Sequence, residues 1–293
     1  ALADALKSGK VAFAGLDVYE QEPLPEDHEF RGIENLNLTP HLGASTAEAQ
    51  ESVGVEIAEA IAEVLQGGRI RNAINMPSID PKDLITLRPY LDLCHRLGSF
   101  ARQSAQANVS AIHISYWGGI VDFDAVPLNR AILKGWLAGI AGDEGVNDVN
   151  APHKIKALGV KVESTKSSSM VDYNELIEVK TISSDGSERL VRGTLLGKGN
   201  DPRIVEVDGQ AIEVRPVDLL LVVRNLDKPG IVGKLGTILG DHEVNIANMS
   251  LSRGDCGEIA LTICELDEEP SDDVLRLLEA DPDIQEARIS RQG

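Results

Sequence analysis

Residues 217–293 alternate between strand and helix patterns in a fixed order, and this order constrains the fold more than any other feature of the chain. Strand patterns cover residues 219–223, 245–252, 258–266 and 284–289. Helix patterns cover residues 231–239 and 271–278. The order strand, helix, strand, strand, helix, strand is that of the split βαβ arrangement. The segment is therefore predicted to be a ferredoxin-like domain.

Residues 78–215 show a different pattern, with long helices first and strands later. Amphipathic helices are predicted over 83–104 and 125–142, and Asn150-Ala151-Pro152 opens a short helix closed by Gly159. A strand is predicted over 109–116. Later β-forming residues are separated by turns such as Ser184-Asp185-Gly186. We expect an α+β domain of helices and antiparallel strands.

Residues 1–76 combine short strands with helices, which is typical of an α/β domain. Residues 1–7 form a predicted helix that stops at Gly9. Ser45-x-x-Glu48 has the form of a capping box before a second helix. An apolar stripe follows at helical spacing and indicates core packing; it consists of Val53, Ile57, Ile61, Val64 and Leu65, and the helix is predicted to stop at Gly67-Gly68.

Two strand ends in this first segment carry acid–base chemistry. His41 stands where the strand of Leu38-Thr39-Pro40-His41 gives way to a helix, and Glu22 follows the strand that begins at Gly15. Because α/β enzymes place their sites at the ends of neighbouring strands, Glu22 is expected to face His41. A carboxylate raises the pKa of a histidine and fixes its tautomer, which suits proton exchange with an alcohol.

The motifs Leu-Asp-Val-Tyr-Glu-Gln-Glu-Pro and Thr-Pro-His-Leu-Gly-Ala-Ser-Thr resemble the C-terminal end of the nucleotide domain in NAD-dependent D-2-hydroxyacid dehydrogenases. Within them the chain looks most like the long-form D-3-phosphoglycerate dehydrogenases. The resemblance implies that Glu22 and His41 are catalytic and that Asp17 binds the nicotinamide carboxamide. It also implies cofactor contacts over His41, Leu42, Gly43 and Ala44, with NAD as the cofactor. The fold implied for residues 1–76 is the C-terminal part of a Rossmann-type domain.

The sequence lacks the Gly-x-Gly-x-x-Gly motif that seats a pyrophosphate on a helix N-terminus, and it lacks the family's substrate-binding arginine. We therefore expect the chain to be the C-terminal part of a longer protein. On its own it is expected neither to bind NAD measurably nor to turn over substrate. The choice between NAD and NADP depends on residues that it does not contain.

Residues 217–293 also resemble a known module. Arg224-Asn225-Leu226-Asp227-Lys228-Pro229-Gly230 followed by Val244-Asn245-Ile246 is similar to the ACT domain, which binds amino acids. In the resembling dehydrogenases two such domains pair edge to edge and bind L-serine. The matching positions are Asn225, Asp227 and Asn245, and the free amides of the helix after Gly230 suit a ligand carboxylate.

Residues 78–215 resemble the intervening, or allosteric substrate-binding, domain of the same dehydrogenases, through Asn-Ala-Pro followed by Gly-Val-Lys-Val-Glu. Lysines gather here in an otherwise acidic chain. Lys166 follows a strand and adjoins three serines, so it is the best candidate for an anion site, although a solvated basic face explains the same lysines.

Composition excludes several classes of partner. With 28 basic and 47 acidic residues, the net charge of −19 disfavours nucleic acid and anionic membranes. No run of 18 apolar residues could span a bilayer. The three cysteines lack metal-ligand spacing, so no metal is expected, and their odd number favours a cytoplasmic protein while leaving organelle targeting open. The resemblance implies a homo-oligomer, a homotetramer.

The predicted function follows from the resemblance over nearly the whole chain. It is the NAD-dependent oxidation of 3-phospho-D-glycerate to 3-phosphohydroxypyruvate, the first step of L-serine biosynthesis, with feedback by L-serine. Residues 1–76 alone would also allow another D-2-hydroxyacid dehydrogenase, acting on glyoxylate, lactate or formate. A third reading, for this chain by itself, is a non-catalytic module that binds amino acids.

Overall fold

The structure is a computed structural model that describes residues 1–66, 73–75, 81–105, 108–141, 145–254 and 259–292. Its contacts divide the chain into two units, Ala1–Ala73 and Ile74–Gly293. The predicted helix stop at Gly67-Gly68 and one of the three cysteines, Cys256, lie outside the described residues.

The first unit is built on two short parallel strands. Its elements are α1 (Leu2–Lys7), β1 (Ala14–Leu16), a 3₁₀ turn (Glu29–Gly32), β2 (Leu36–Leu38) and α2 (Ala47–Leu65). The strands pair in the register Ala14 with Leu36 through Leu16 with Leu38. A small core of Ala3, Leu6, Ile33 and Leu36 holds α1 against the segment before β2. The predicted stop of α1 is confirmed, since Gly9 has a φ of 71°.

The helix α2 differs from the sequence prediction in two ways. It begins at Ala47, and its cap is Thr46, whose hydroxyl accepts a hydrogen bond from the Ala49 amide at 3.2 Å. The capping box from Ser45 is therefore wrong by one residue, because the Ser45 amide closes a turn onto the Leu42 carbonyl at 2.8 Å. The predicted burial of its apolar stripe is also wrong for this structure, in which α2 has no buried residue.

The second unit begins with helices packed on a mixed sheet. Its first elements are α3 (Pro81–Ser104), β3 (Val109–Gly118), a 3₁₀ turn (Gly119–Asp122), α4 (Ala125–Ala141) and α5 (Ala151–Ala157). The strands β4 (Lys161–Ser167), β5 (Glu175–Ser183), β6 (Glu188–Leu196), β7 (Asp201–Val207) and β8 (Gln210–Val214) follow. Within the described ranges the order of this sheet is β4-β3-β5-β6-β7-β8.

One pairing in this sheet is parallel, which the sequence analysis did not predict. β3 and β4 run in the same direction, with Ala111 opposite Lys161 and Trp117 opposite Ser167. The cause is the connection between them, because α4 and α5 carry the chain back to the starting end of the sheet. The other strands are antiparallel to their neighbours. The helix α3 and the inner sheet face form the core, where Leu93, Leu97, Phe100, Ile112 and Tyr116 are fully buried.

The rest of the second unit has the predicted ferredoxin-like order. It consists of β9 (Leu219–Leu226), α6 (Ile231–Asp241), β10 (Ile246–Arg253), β11 (Ile259–Leu266), α7 (Asp272–Ala280) and β12 (Ile284–Arg291). The antiparallel sheet has the order β10-β11-β9-β12. Leu221, Val223, Leu235, Val274 and Leu278 lie in the core between this sheet and its two helices. The predicted fold class, α/β followed by α+β, is confirmed.

Candidate active site

The parallel pairing of β1 and β2 brings two loops to one edge of the first unit. β1 leads into Asp17, Tyr19 and Glu22, and β2 leads into Thr39 and His41. The Tyr19 hydroxyl lies between the two loops, 2.8 Å from the Thr39 carbonyl oxygen and 3.0 Å from the Leu16 carbonyl oxygen. The strand order therefore places the carboxylates and the imidazole on the same side.

His41 and Glu22 are in direct hydrogen-bond contact. His41 Nδ1 lies 2.7 Å from Glu22 Oε2. The other carboxylate oxygen, Oε1, accepts a hydrogen bond from the Tyr19 amide at 3.0 Å. With Nδ1–H donated to the carboxylate, Nε2 of the neutral imidazole carries the lone pair. The arrangement leaves a proton acceptor free.

Electrostatics adjust both partners in the direction that proton transfer needs. The hydrogen bond to Glu22, and then the Glu22 charge, raise the pKa of His41 above its usual 6.5. The same hydrogen bond, with help from the Tyr19 amide, lowers the pKa of Glu22. Glu22 therefore stays ionised at the pH where His41 changes charge.

A cavity of about 550 Å³ opens beside this pair. Its lining residues come from both loops and from the 3₁₀ turn; they are Tyr19, Glu22, Pro23, Leu24, Arg31, Leu38, Thr39, Pro40 and His41. Arg31 donates hydrogen bonds to the carbonyl oxygens of Leu24 at 2.6 Å and Pro25 at 2.8 Å. The cavity has room for a small substrate next to the imidazole.

Asp17, in the loop after β1, accepts three hydrogen bonds from the loop after β2. Its Oδ1 accepts from the Thr39 hydroxyl at 2.5 Å and the Leu42 amide at 2.7 Å, and its Oδ2 accepts from the Gly43 amide at 2.7 Å. These hydrogen bonds lower the pKa of Asp17, and the bond from Thr39 has the largest effect. A carboxylate has about four acceptor positions. One position on Oδ2 thus stays open, which fits the predicted contact with a nicotinamide carboxamide.

The remaining predicted cofactor contacts belong to this loop. Leu42 and Gly43 direct their amides at Asp17, while the Ala44 carbonyl oxygen accepts from the Gln50 side chain at 2.5 Å. No role was predicted from the sequence for Tyr19 or Thr39. Their positions inside the two motifs that carry the resemblance were the available signal.

The three residues predicted to bind L-serine are not joined by a hydrogen bond or ion pair within the described chain. Asn225 is 1% exposed and bonds to the Thr262 hydroxyl at 3.1 Å and the Leu226 carbonyl at 2.8 Å. Asp227 Oδ2 lies 3.3 Å from Arg253 Nε. Asn245 donates to Asp267 Oδ2 at 2.6 Å.

Two features on which the ligand prediction depends lie at the end of β9 and the start of α6. Gly230 has a φ of 98° at the start of α6, and α6 has no side-chain cap on its first amides. Asp227 is 19% exposed, while Arg253, its partner, is 72% exposed. An amino acid could therefore reach Asp227 by displacing an exposed surface cation.

The Lys166 ammonium, predicted as an anion site, is engaged by backbone oxygens. It donates to the carbonyl oxygens of Val121 at 2.7 Å and Phe123 at 2.5 Å. Ser167 and Ser169 bond to each other at 2.8 Å. This geometry ties β4 to the 3₁₀ turn after β3 and leaves one ammonium proton for a ligand, so the anion site stays a prediction.

The described part of the chain offers neither a metal-binding cluster nor a membrane-spanning helix. No cluster of three or more histidine, cysteine, aspartate or glutamate side chains in that part could hold a metal ion. None of the helices found there is long and apolar enough to cross a membrane.

Comparison with known proteins matches three family models along the chain. Residues 1–43 match the NAD-binding domain of D-isomer specific 2-hydroxyacid dehydrogenases. Residues 86–208 match the intervening domain of D-3-phosphoglycerate dehydrogenase. Residues 219–283 match the ACT domain.

Curated relatives extend the similarity over nearly the whole chain. D-3-phosphoglycerate dehydrogenase of Archaeoglobus fulgidus is 36% identical over 94% of this chain and 52% of its own length. That of Methanocaldococcus jannaschii is 35% identical over 99% of this chain and 54% of its own. That of Synechocystis is 38% identical over 94% and 49%. The chain therefore spans about half the length of these relatives.

Proposed function

The chain belongs to the D-3-phosphoglycerate dehydrogenase family, and from that premise we propose that its whole protein oxidises 3-phospho-D-glycerate to 3-phosphohydroxypyruvate with NAD. This reaction begins L-serine biosynthesis. The observation that carries the proposal is the 2.7 Å contact between His41 Nδ1 and Glu22 Oε2, which leaves Nε2 free beside a cavity of about 550 Å³.

The chemistry needs a base and a hydride acceptor. His41 Nε2 accepts the proton of the C2 hydroxyl while the C2 hydrogen leaves with both electrons of its bond as hydride. NAD, when bound, supplies the acceptor for that hydride. His41 becomes an imidazolium, and Glu22 balances the new charge at Nδ1. The bond between C2 and its oxygen is never broken and becomes the carbonyl double bond of the product, so no water is consumed.

The test uses a protein of the relatives' full length. His41→Ala should lower kcat by about 10² to 10⁴-fold, the usual contribution of a general base. His153→Ala is the matched control, because His153 is exposed in α5 and lies outside the cavity. Near-normal turnover of the His41 variant would contradict the proposal.

The ACT domain supports feedback regulation as a further part of the proposal. We infer that L-serine binds at the end of β9, with its ammonium on Asp227 and its carboxylate on the first amides of α6. Asn245 supplies an amide from the start of β10. Edge-to-edge pairing of two such domains would make the protein a homo-oligomer, and we propose a homotetramer in the cytoplasm.

A further inference from the structure

We propose that Asp17 is a positioning residue for His41: its carboxylate holds the Thr39 hydroxyl before His41 and the Leu42 and Gly43 amides after it, and so holds the imidazole against Glu22. This role deepens the proposed function and rests on it for the importance of His41. It differs from the predicted contact between Asp17 and the nicotinamide carboxamide, because it operates before any cofactor binds.

The hydrogen bonds of Asp17 surround His41 in the sequence. Thr39 lies two residues before His41, and Leu42 and Gly43 follow it directly. All three bond to the one carboxylate, at 2.5 to 2.7 Å. Bonds to an ionised acceptor are stronger than those between neutral groups. The carboxylate therefore binds the residues on both sides of His41 and acts as a clamp on this loop.

The backbone of His41 needs such a clamp. Its φ of 57° lies in the left-handed region, which residues with a Cβ rarely adopt. A residue persists in that region only where its surroundings hold it. If the clamp opened, His41 would relax towards a commoner conformation and its side chain would leave Glu22.

The space around the carboxylate is also matched to this role. A Cβ added to Gly43 would lie 3.1 Å from Asp17 Oδ2, so a larger residue would press on the carboxylate. An asparagine at position 17 would fit the same space but would lose an acceptor. In either orientation its NH₂ group would face a backbone N–H, that of Leu42 or that of Gly43. Only an ionised carboxylate accepts from all three donors at once.

Two ways of acting must be separated, because Asp17 is also a negative charge near His41. The groups that face His41 are Glu22 and Asp17, and Arg31 lines the same cavity. If Asp17 acted only by its charge, removing that charge would lower the His41 pKa whether or not Glu22 were present. If it acts by position, its effect must pass through Glu22.

The experiment is a double-mutant cycle on the 293-residue chain, with the His41 pKa measured by NMR titration of the imidazole. Asp17→Asn should remove most of the elevation of the pKa that Glu22 produces. In a Glu22→Gln background the same change should have little further effect. Asp27→Asn removes one charge from the same unit and should leave the His41 pKa unchanged.

Thr39 provides a second route if Asp17→Asn does not fold. Thr39→Val removes one of the three bonds and should lower the His41 pKa in part, whereas Thr39→Ser keeps the hydroxyl and should restore it. Equal effects of Asp17→Asn with and without Glu22, or no effect of either Asp17→Asn or Thr39→Val, would overturn the proposal. These readouts involve no turnover, so they stand or fall independently of the His41→Ala assay.

Discussion

The hydrogen bond between His41 and Glu22 sets the pH at which His41 can accept a proton. A base must be neutral, so turnover should rise as pH passes the His41 pKa, which Glu22 holds above 6.5. Glu22→Gln keeps the shape of the side chain but removes the charge and the acceptor strength. The His41 pKa should then fall towards its ordinary value.

The measurement is the pH profile of kcat/KM in the full-length protein. The rising limb should move to lower pH in Glu22→Gln, while the maximal rate falls because the imidazolium has lost its counter-charge. Glu20→Gln, a change of an exposed neighbour, is the control. A rising limb that stays in place would show that Glu22 does not set the His41 pKa.

At the residue scale the sequence predicted the contact between Glu22 and His41 but not its supports. The motif revealed the pair because strand ends meet at one edge of a parallel sheet. It could not reveal that Thr39 bonds to Asp17, or that His41 has a left-handed backbone, since both depend on how the loop closes. The cap at Thr46 in place of Ser45 has the same origin, because the Ser45 amide is used in the turn after His41.

At the element scale, α3 and α4 cross where each helix places a glycine against the backbone of the other helix. A Cβ at Gly98 would overlap the carbonyl oxygen of Ile132, and a Cβ at Gly135 would overlap the carbonyl oxygen of His95. The absence of both side chains lets the helices approach closely, so that Leu97 and Leu133 are buried. Substitution must push the helices apart.

Gly98→Ala and Gly135→Ala should each lower the free energy of unfolding by about 1 to 3 kcal/mol, the range found for overpacked cores. The control is Gly236→Ala in α6, where an added Cβ has open space. That change should be neutral or stabilise by up to about 1 kcal/mol, because alanine favours helices. Denaturant unfolding of the three variants measures both effects, and equal stabilities would refute the close crossing.

The element predictions failed where they depended on partners that lie far apart in the chain. The 3.6-residue period predicted α3 and α4 to within two residues, yet it said nothing of their glycine contact. The parallel direction of β4 followed from the route of α4 and α5 over the sheet, which strand patterns do not encode. The apolar stripe on α2 led to a prediction of burial that this structure does not bear out. The reason is that amphipathicity indicates an apolar face but not what covers it.

At the scale of the whole second unit, an ion pair between the buried Glu265 carboxylate and the half-exposed Arg215 guanidinium links the ACT sheet to the chain that follows β8. Glu265 of β11 is 2% exposed and accepts from the Arg215 guanidinium, the Arg215 amide and the Asn248 side chain, at 2.7 to 3.2 Å. Burial raises the pKa of Glu265, but these hydrogen bonds outweigh it and leave the pKa lowered. Arg215 lies at the end of the predicted intervening domain, so the carboxylate ties that domain to the ACT sheet.

L-serine binding tests whether the ACT sheet carries a ligand site. Asp227 is held by one exposed arginine, so a ligand ammonium can replace that cation. Asp227→Ala removes a charge-assisted hydrogen bond worth about 1.5 to 3 kcal/mol, which corresponds to affinity about 10 to 150-fold weaker. Calorimetric titration of serine into the 293-residue chain measures the change.

Arg253→Ala is the matched control, because it frees Asp227 without removing the carboxylate. If serine displaces Arg253, this variant should bind serine at least as tightly as the unchanged chain. Asn245→Ala should weaken binding as well, but only if its amide leaves Asp267 to reach the ligand. Unchanged affinity in Asp227→Ala would mean that the carboxylate serves only its contact with Arg253, and the ferredoxin-like sheet would then act in assembly alone.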